Sequence, residues 1–184
     1  MDRADGSVVT DAEELITQQI PKLRRYARAL LGDPARADDL VQETLLRALS
    51  RQHMWKPGTN MRAWMFTILH NIHVNNQRRR FVRGEFQDPL EDQPEQGTPS
   101  TQEHSLEIRD LAKALKTLPE AQRQVLLLVG LEGMDYKQVA DVLEVPVGTV
   151  MSRLHRGREA LRRLLSYERN VRPAERTTKL RMVP

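Results

Sequence analysis

Residues 135–161 read DYKQVADVLEVPVGTVMSRLHRGREAL, two short helical repeats on either side of a break. Asp135 is placed to cap the first repeat, and Gln138 three residues later completes a capping box. Val139, Ala140 and Leu143 form one apolar side, with Ala140 small enough to let a second helix come close. Glu144, Val145 and Pro146 interrupt the pattern, and Pro146 suits the first turn of a new helix. Gly148 and Thr149 lie in that turn. Val150, Leu154 and Leu161 then recur on one side, with Gly157 among them.

The other side of the second helix carries Ser152, Arg153, His155, Arg156 and Arg158. Two helices about a turn apart, the second offering side chains that reach base edges, make a helix-turn-helix. The alternative is a helical hairpin with a solvated charged face. The pattern favours the DNA-binding form, although serine and arginine at helical spacing also occur on inert surfaces.

The chain has 184 residues, enough for one ordinary domain or two small ones. Aromatic residues are 4% of it, so its core is aliphatic. No alternating β-branched run is long enough for a strand, and the expected fold class is all-α. The net charge is +4 and the pI about 9.7, but the charge is unevenly placed, and that matters more. Cysteine is absent, which fits a reducing compartment. The start, MDRADGSVV, has no apolar signal core, and no run reaches membrane-spanning length. A cytoplasmic protein is expected, without membrane or small-molecule partners.

Toward the N-terminus, Asp11–Gln19 reads as a first helix and Pro21 as the opening of a second that ends at Gly32. Asp33-Pro34 starts a third, with Ala37, Leu40, Val41, Leu45 and Ala48 on its apolar side. Asp39, Gln42 and Glu43 share its other face. Taken alone, that face is better read as solvated than as a docking site. Lys56-Pro57-Gly58-Thr59-Asn60 is a loop, with Thr59 or Asn60 capping the next helix, Met61 to about Arg80.

That helix has two stripes. Met61, Trp64, Met65, Ile68 and Ile72 face the core, while Thr67, Asn71, Asn75 and Arg78 form a polar line ending in Arg78-Arg79-Arg80. Amides with terminal arginines suit nucleic acid, the arginines holding phosphates while the amides reach bases. A solvated face whose arginines offset the helix dipole explains the same residues equally well. Trp64 reads as core; Trp55 and Phe66 read as partly exposed. His70 and His73 have no third ligand at helical spacing, so no metal or cofactor is expected.

From Glu85 to Ile108 the composition turns acidic and proline-rich, with no lysine or arginine, which marks a flexible connector. Leu106, Leu111, Leu115 and Leu118 then mark a helix, and LPEAQRQVLLLVGLEG another, closed by Gly133. From Arg153 to the end, ten basic residues face three acids, a phosphate-binding footprint. The residues after Ser166 read as disordered.

In order, DDLVQETLLRAL, PGTNMRAWMFTILHN, LPEAQRQVLLL and GMDYKQVADVLEVPVGTVMSRLHRGREAL resemble the motifs of an extracytoplasmic function (ECF) sigma factor of the sigma-70 family. The resemblance covers about 20–165, and the PGTN wording is most similar to the alphaproteobacterial general stress response subgroup. It implies two small helical domains joined by a flexible acidic linker. Their expected limits are 11–83 (sigma region 2), 84–104 (linker), 105–168 (sigma region 4) and 169–184 (basic tail).

The resemblance also implies roles, position by position. Asp39, Gln42 and Glu43 match the surface that docks on core RNA polymerase, which reverses the reading of that face taken alone. Trp55 to Asn60, with Lys56, Pro57, Gly58, Thr59 and Asn60 at its tip, matches the loop that captures a flipped base of the minus-ten element. Asn71 and Asn75, with Arg78, Arg79 and Arg80, match the helix that contacts that element. Ser152, His155 and Arg156, beside Thr149, match positions that read the minus-thirty-five element, while Arg153 and Arg158 suit phosphates. His155 departs from the residues usual there.

The implied function is an alternative sigma factor, not an enzyme, acting with core RNA polymerase, promoter DNA and an anti-sigma factor. Two rivals remain: a stand-alone helix-turn-helix regulator, and a sigma mimic that binds an anti-sigma protein. Arg153 and Arg156 speak against the mimic.

Overall fold

The computed structural model describes the backbone at residues 5–84 and 102–171, and side chains at 12–84 and 108–166. Most of the acidic connector and the end of the basic tail lie outside the described residues. The described residues form seven α-helices: α1 (Asp5–Leu31), α2 (Pro34–Ser50), α3 (Met61–Val82), α4 (Gln102–Thr117), α5 (Glu120–Leu126), α6 (Tyr136–Leu143) and α7 (Val147–Val171). A short 3-10 turn at Gln52–Met54 follows α2, and a π turn at Leu127–Leu131 extends α5.

Local signals set most of the boundaries. Gly32, at φ +66°, ends α1 in the left-handed conformation that glycine tolerates. The Asp33 side chain accepts from the Arg36 amide at 3.1 Å, and Pro34 stands in the first turn of α2. Asn60, rather than Thr59, caps α3, accepting from the Ala63 amide at 3.1 Å.

Three expectations are corrected. α1 does not break before Pro21. Ile16, Leu23, Tyr26, Ala27 and Leu30 are all buried on one side through that position. Burying each large aliphatic contributes about 1.5–3 kcal/mol, enough together to offset the ~3 kcal/mol an interior proline costs. Trp55 and Phe66 are core residues, 9% and 1% exposed. Finally, α7 runs on to Val171, beyond Ser166.

The first half is a bundle of α1, α2 and α3, in which the Tyr26 and Phe66 rings meet edge-on with centroids 5.2 Å apart. In the second half α5 and α6 pack on α7, and Gly157 lies close against α5. A β-carbon there would stand 2.9 Å from Leu126 Cδ1 and 3.4 Å from Gln122 Cβ. Gly157→Val should therefore wedge α7 from α5 and cost about 1–3 kcal/mol by overpacking, despite the better helix propensity of valine. A lowered urea midpoint measures this; an unchanged midpoint would show that the contact yields freely.

The halves do not stand apart. One continuous apolar cluster joins Tyr26, Phe66 and Ile72 of the first half to Val125, Leu128 and Val139 of the second. α3 packs against α6, and α1 against the π turn.

Candidate nucleic-acid interface

The helix-turn-helix forms as its residues direct. Asp135 accepts from the Gln138 amide at 2.8 Å, and Gln138 Oε1 accepts in return from the Asp135 amide at 3.2 Å. Val139, Ala140, Val142 and Leu143 bury the inner face of α6. Glu144 closes α6 at φ 53°, in the left-handed region that a non-glycine residue seldom enters, and the Val145 amide bonds back to the Ala140 carbonyl. This sharp reversal aims α7 across α6.

On α7, Val150 and Leu154 are buried, while His155, Arg156 and Arg158 are exposed. Thr149, Ser152 and Arg153 are half-buried. The Ser152 hydroxyl donates to the Thr149 carbonyl at 3.0 Å, so as a free donor it is partly spent within its own helix. Further along, Arg162 and Arg163 lie 3.3 and 3.7 Å from Glu159.

The α3 stripe is oriented as its spacing requires. Asn71, Asn75, Arg78 and Arg79 are exposed, and Arg80 is half-buried. Lys56, Pro57, Gly58, Thr59 and Asn60 are all exposed in the preceding loop, which Gly58 turns at φ 84°. Thr59 Oγ1 donates to the Lys56 carbonyl at 2.7 Å, tightening the loop above the buried Trp55. On α2, Asp39 and Gln42 are exposed; Glu43 is half-buried, accepting from Arg47 at 3.0 Å and Asn76 at 3.4 Å.

The structure brings together residues that no local pattern connects. Asn71 Nδ2 donates to Glu144 Oε1 at 3.4 Å, so the α3 stripe meets the turn of the helix-turn-helix. His73 Nε2 lies 2.7 Å from Glu120 Oε1, a carboxylate that also accepts from Gln124 at 2.9 Å and from Gln77. Burial pushes the Glu120 carboxyl up, but hydrogen bonds from His73 and Gln77, together with nearby positive charge such as Arg123, leave the group below its ordinary value. Sequence reasoning missed Arg25, Arg62, Glu120 and Glu132, whose partners lie 47 to 107 residues away.

His70 and His73, weighed above as a metal pair, do separate things. His73 binds Glu120, while His70 is held below its ordinary value of 6.5 by burial and by His73, against the opposing pull of Glu144 and Glu120. The folded chain thus binds a proton at His70 less readily than the unfolded chain. This contribution to stability is complete above pH 6.5 and declines as pH falls through 6.5 toward the folded value. Urea midpoints should fall from pH 7.5 to 5.5, and His70→Gln should flatten part of that slope. A variant with the full wild-type slope would remove His70 from the account.

A capped helix-turn-helix, joined to a second helix whose exposed amides and arginines stand beside an exposed loop, defines an all-α protein of the helix-turn-helix DNA-binding class. The comparisons agree with that class. Residues 16–70 match the sigma2 domain of PhyR, and residues 108–161 match region 4 of sigma-70. The ECF RNA polymerase sigma factor EcfG of Rhodopseudomonas palustris is 42% identical over 82% of this chain and 82% of its own. SigL of Mycobacterium tuberculosis is 36% identical over 88% of this chain and 94% of its own. The solved structure of the sigma factor RpoE in complex with the anti-sigma factor NepR, from Bartonella quintana, superposes with a TM-score of 0.73 at 32% identity, covering 85% of this chain and 97% of that one. The chain belongs to the ECF RNA polymerase sigma factor family.

Proposed function

We propose that the chain acts in the cytoplasm as the sigma subunit for stress-response promoters. As a member of this family it binds core RNA polymerase and directs promoter-specific initiation; the residue roles that follow are our reading. Asp39, Gln42 and Glu43 dock α2 on the polymerase. The loop Lys56–Asn60 captures a flipped base of the minus-ten element, and Asn71, Asn75 and the arginines at 78–80 hold that strand. Unstacking a base costs a few kcal/mol, which loop and basic helix together must offset. Thr149, Ser152, His155 and Arg156 read the minus-thirty-five element in the major groove, with Arg153 and Arg158 on phosphates. The domain limits follow: 11–83 and 105–168 as working modules, 84–104 as tether and 169–184 as basic tail.

The observation that carries this reading is that both halves match sigma modules and that each exposes polar and basic side chains along a helix face. Relation to EcfG favours general stress genes, and the neighbouring RpoE–NepR complex favours an anti-sigma partner for this chain too. RNA synthesis belongs to the polymerase, so the chain itself is not an enzyme.

The match of residues 16–70 to the sigma2 domain of PhyR, an anti-anti-sigma factor in its solved complex with NepR, favours one rival, a mimic that only sequesters anti-sigma protein. A mimic has no use for an exposed basic face on α7, and His155, Arg156 and Arg158 form one. The test is genome-wide run-off transcription with purified core polymerase. Discrete new start sites support the sigma reading; co-purification without any start site supports the mimic.

A further inference from the structure

α7 has an apolar edge as well as a polar reading line. Val147 and Met151 stand one turn apart in its first two turns, 41% and 53% exposed. Thr149, Ser152 and Arg156 follow helical spacing along a different side, and His155 stands between the two. The first turns of the second helix are where a helix-turn-helix meets base edges. Apolar side chains left there in water contribute nothing to stability, but they gain when a partner covers them. Met151 is unbranched, and its thioether adapts its shape to what it meets.

Met151 also lines an open groove of about 300 Å³ between α6 and α7. Buried Leu154 and exposed Tyr136 supply its other apolar surface, and His155, Arg158 and Arg162 its basic part. Glu159 lies in the same groove, but its carboxylate is 3.3 Å from Arg162 and 3.7 Å from Arg163, so its charge is offset. Basic side chains around an apolar surface suit a DNA strand, which offers phosphates beside base edges. In the major groove only one base edge carries an apolar group. That group is the C5-methyl of thymine, which adenine, guanine and cytosine lack.

We infer that Met151 determines specificity by packing against the C5-methyl of a thymine in the upstream promoter element; this rests on the reading of α7 as the helix that meets the minus-thirty-five element. Met151 thereby selects a base that the polar line does not. The Ser152 hydroxyl is partly spent on the Thr149 carbonyl at 3.0 Å, and Arg156 seeks hydrogen-bond acceptors, which a methyl group is not. Arg158, two turns along the same edge, pins the neighbouring phosphate and so holds the strand beside Met151. Covering one methyl group is worth about fourfold in affinity, from ~0.8 kcal/mol per group at 1.4 kcal/mol per tenfold.

The test uses holoenzyme reconstituted from the full chain and core RNA polymerase, on promoters mapped by run-off transcription. Each thymine of the upstream element, on either strand, is replaced in turn by deoxyuridine, which removes the methyl group and leaves base pairing intact. In competition binding, wild-type holoenzyme should lose about fourfold in affinity at one of these positions or more. At that position Met151→Ala should bind thymine and uracil duplexes equally, near the wild-type level on uracil. Met151→Leu, which keeps an apolar side chain of similar size, should retain most of the preference. Far-UV helicity should be unchanged in both, because Met151 is exposed and alanine and leucine favour helix. A full thymine preference in Met151→Ala overturns the inference, as does wild-type holoenzyme that ignores every replacement. Weaker transcription by Met151→Ala on promoters that ignore the methyl groups would assign the edge to a protein contact instead, and overturns it too. Failure of the sigma reading looks different: the holoenzyme then prefers no upstream element, with thymine or with uracil, and the inference falls with it.

Discussion

Reversing charge at Asp39 and Glu43 together is expected to abolish capture of core RNA polymerase. Asp39 is exposed on α2 and Glu43 stands half-buried beside it, one helical turn along. The pairing of Glu43 with Arg47 at 3.0 Å and Asn76 at 3.4 Å holds the carboxylate in a fixed place on that face. Against a basic partner helix, Asp39→Lys with Glu43→Lys turns two attractions into two repulsions. Like-charge juxtaposition at an interface costs several kcal/mol. Each 1.4 kcal/mol is tenfold in affinity, so at least about a hundredfold weakening is expected. The fold should survive, since losing the exposed i,i+4 pair with Arg47 costs only about 0.3–0.5 kcal/mol. Fluorescence anisotropy with labelled chain and core polymerase measures the change, and the wild-type complex should weaken with added salt. Normal capture by the doubly reversed chain would refute the docking role of α2.

Arg156→Ala is expected to cost about 1–3 kcal/mol of promoter discrimination, roughly 5- to 150-fold between the correct upstream element and a mismatched one. Arg156 is exposed on α7 one residue after His155, where a bidentate guanidinium can meet a guanine edge in the major groove. Arg158→Ala makes the informative contrast. A phosphate contact there predicts weakening that is uniform across sequences and a salt slope reduced by about one. Competition binding with upstream-element duplexes at two salt concentrations separates the effects. Unchanged element preference in Arg156→Ala would move base reading to another side chain.

The seam between the halves joins Asn71 to Glu144 and leaves Asp39 and Gln42 uncovered. The acid sensitivity of His70 and Glu120 falls in the same region, because both lie where α3 meets the second half.

The all-α class, the helix-turn-helix, the capping box at Asp135 and Gln138, the Asp33 cap and the exposed stripe on α3 were legible in the residues themselves. Each rests on contacts within about a turn of helix, and local spacing encodes such contacts directly. The local cost of Pro21 is visible in sequence, whereas the burial of Ile16 and Leu23 that offsets it depends on other helices. Trp55 and Phe66 are buried for the same reason, since the core that covers them comes from elsewhere in the chain. The joining of the two halves belongs wholly to tertiary structure. Nothing in the local sequence marks Arg25, Arg62 or Glu132. They become one cluster around the buried Glu132 carboxylate because folding places residues 70 and 107 positions apart within 3.1 Å, where removal of that carboxylate from water makes it depend on their charges.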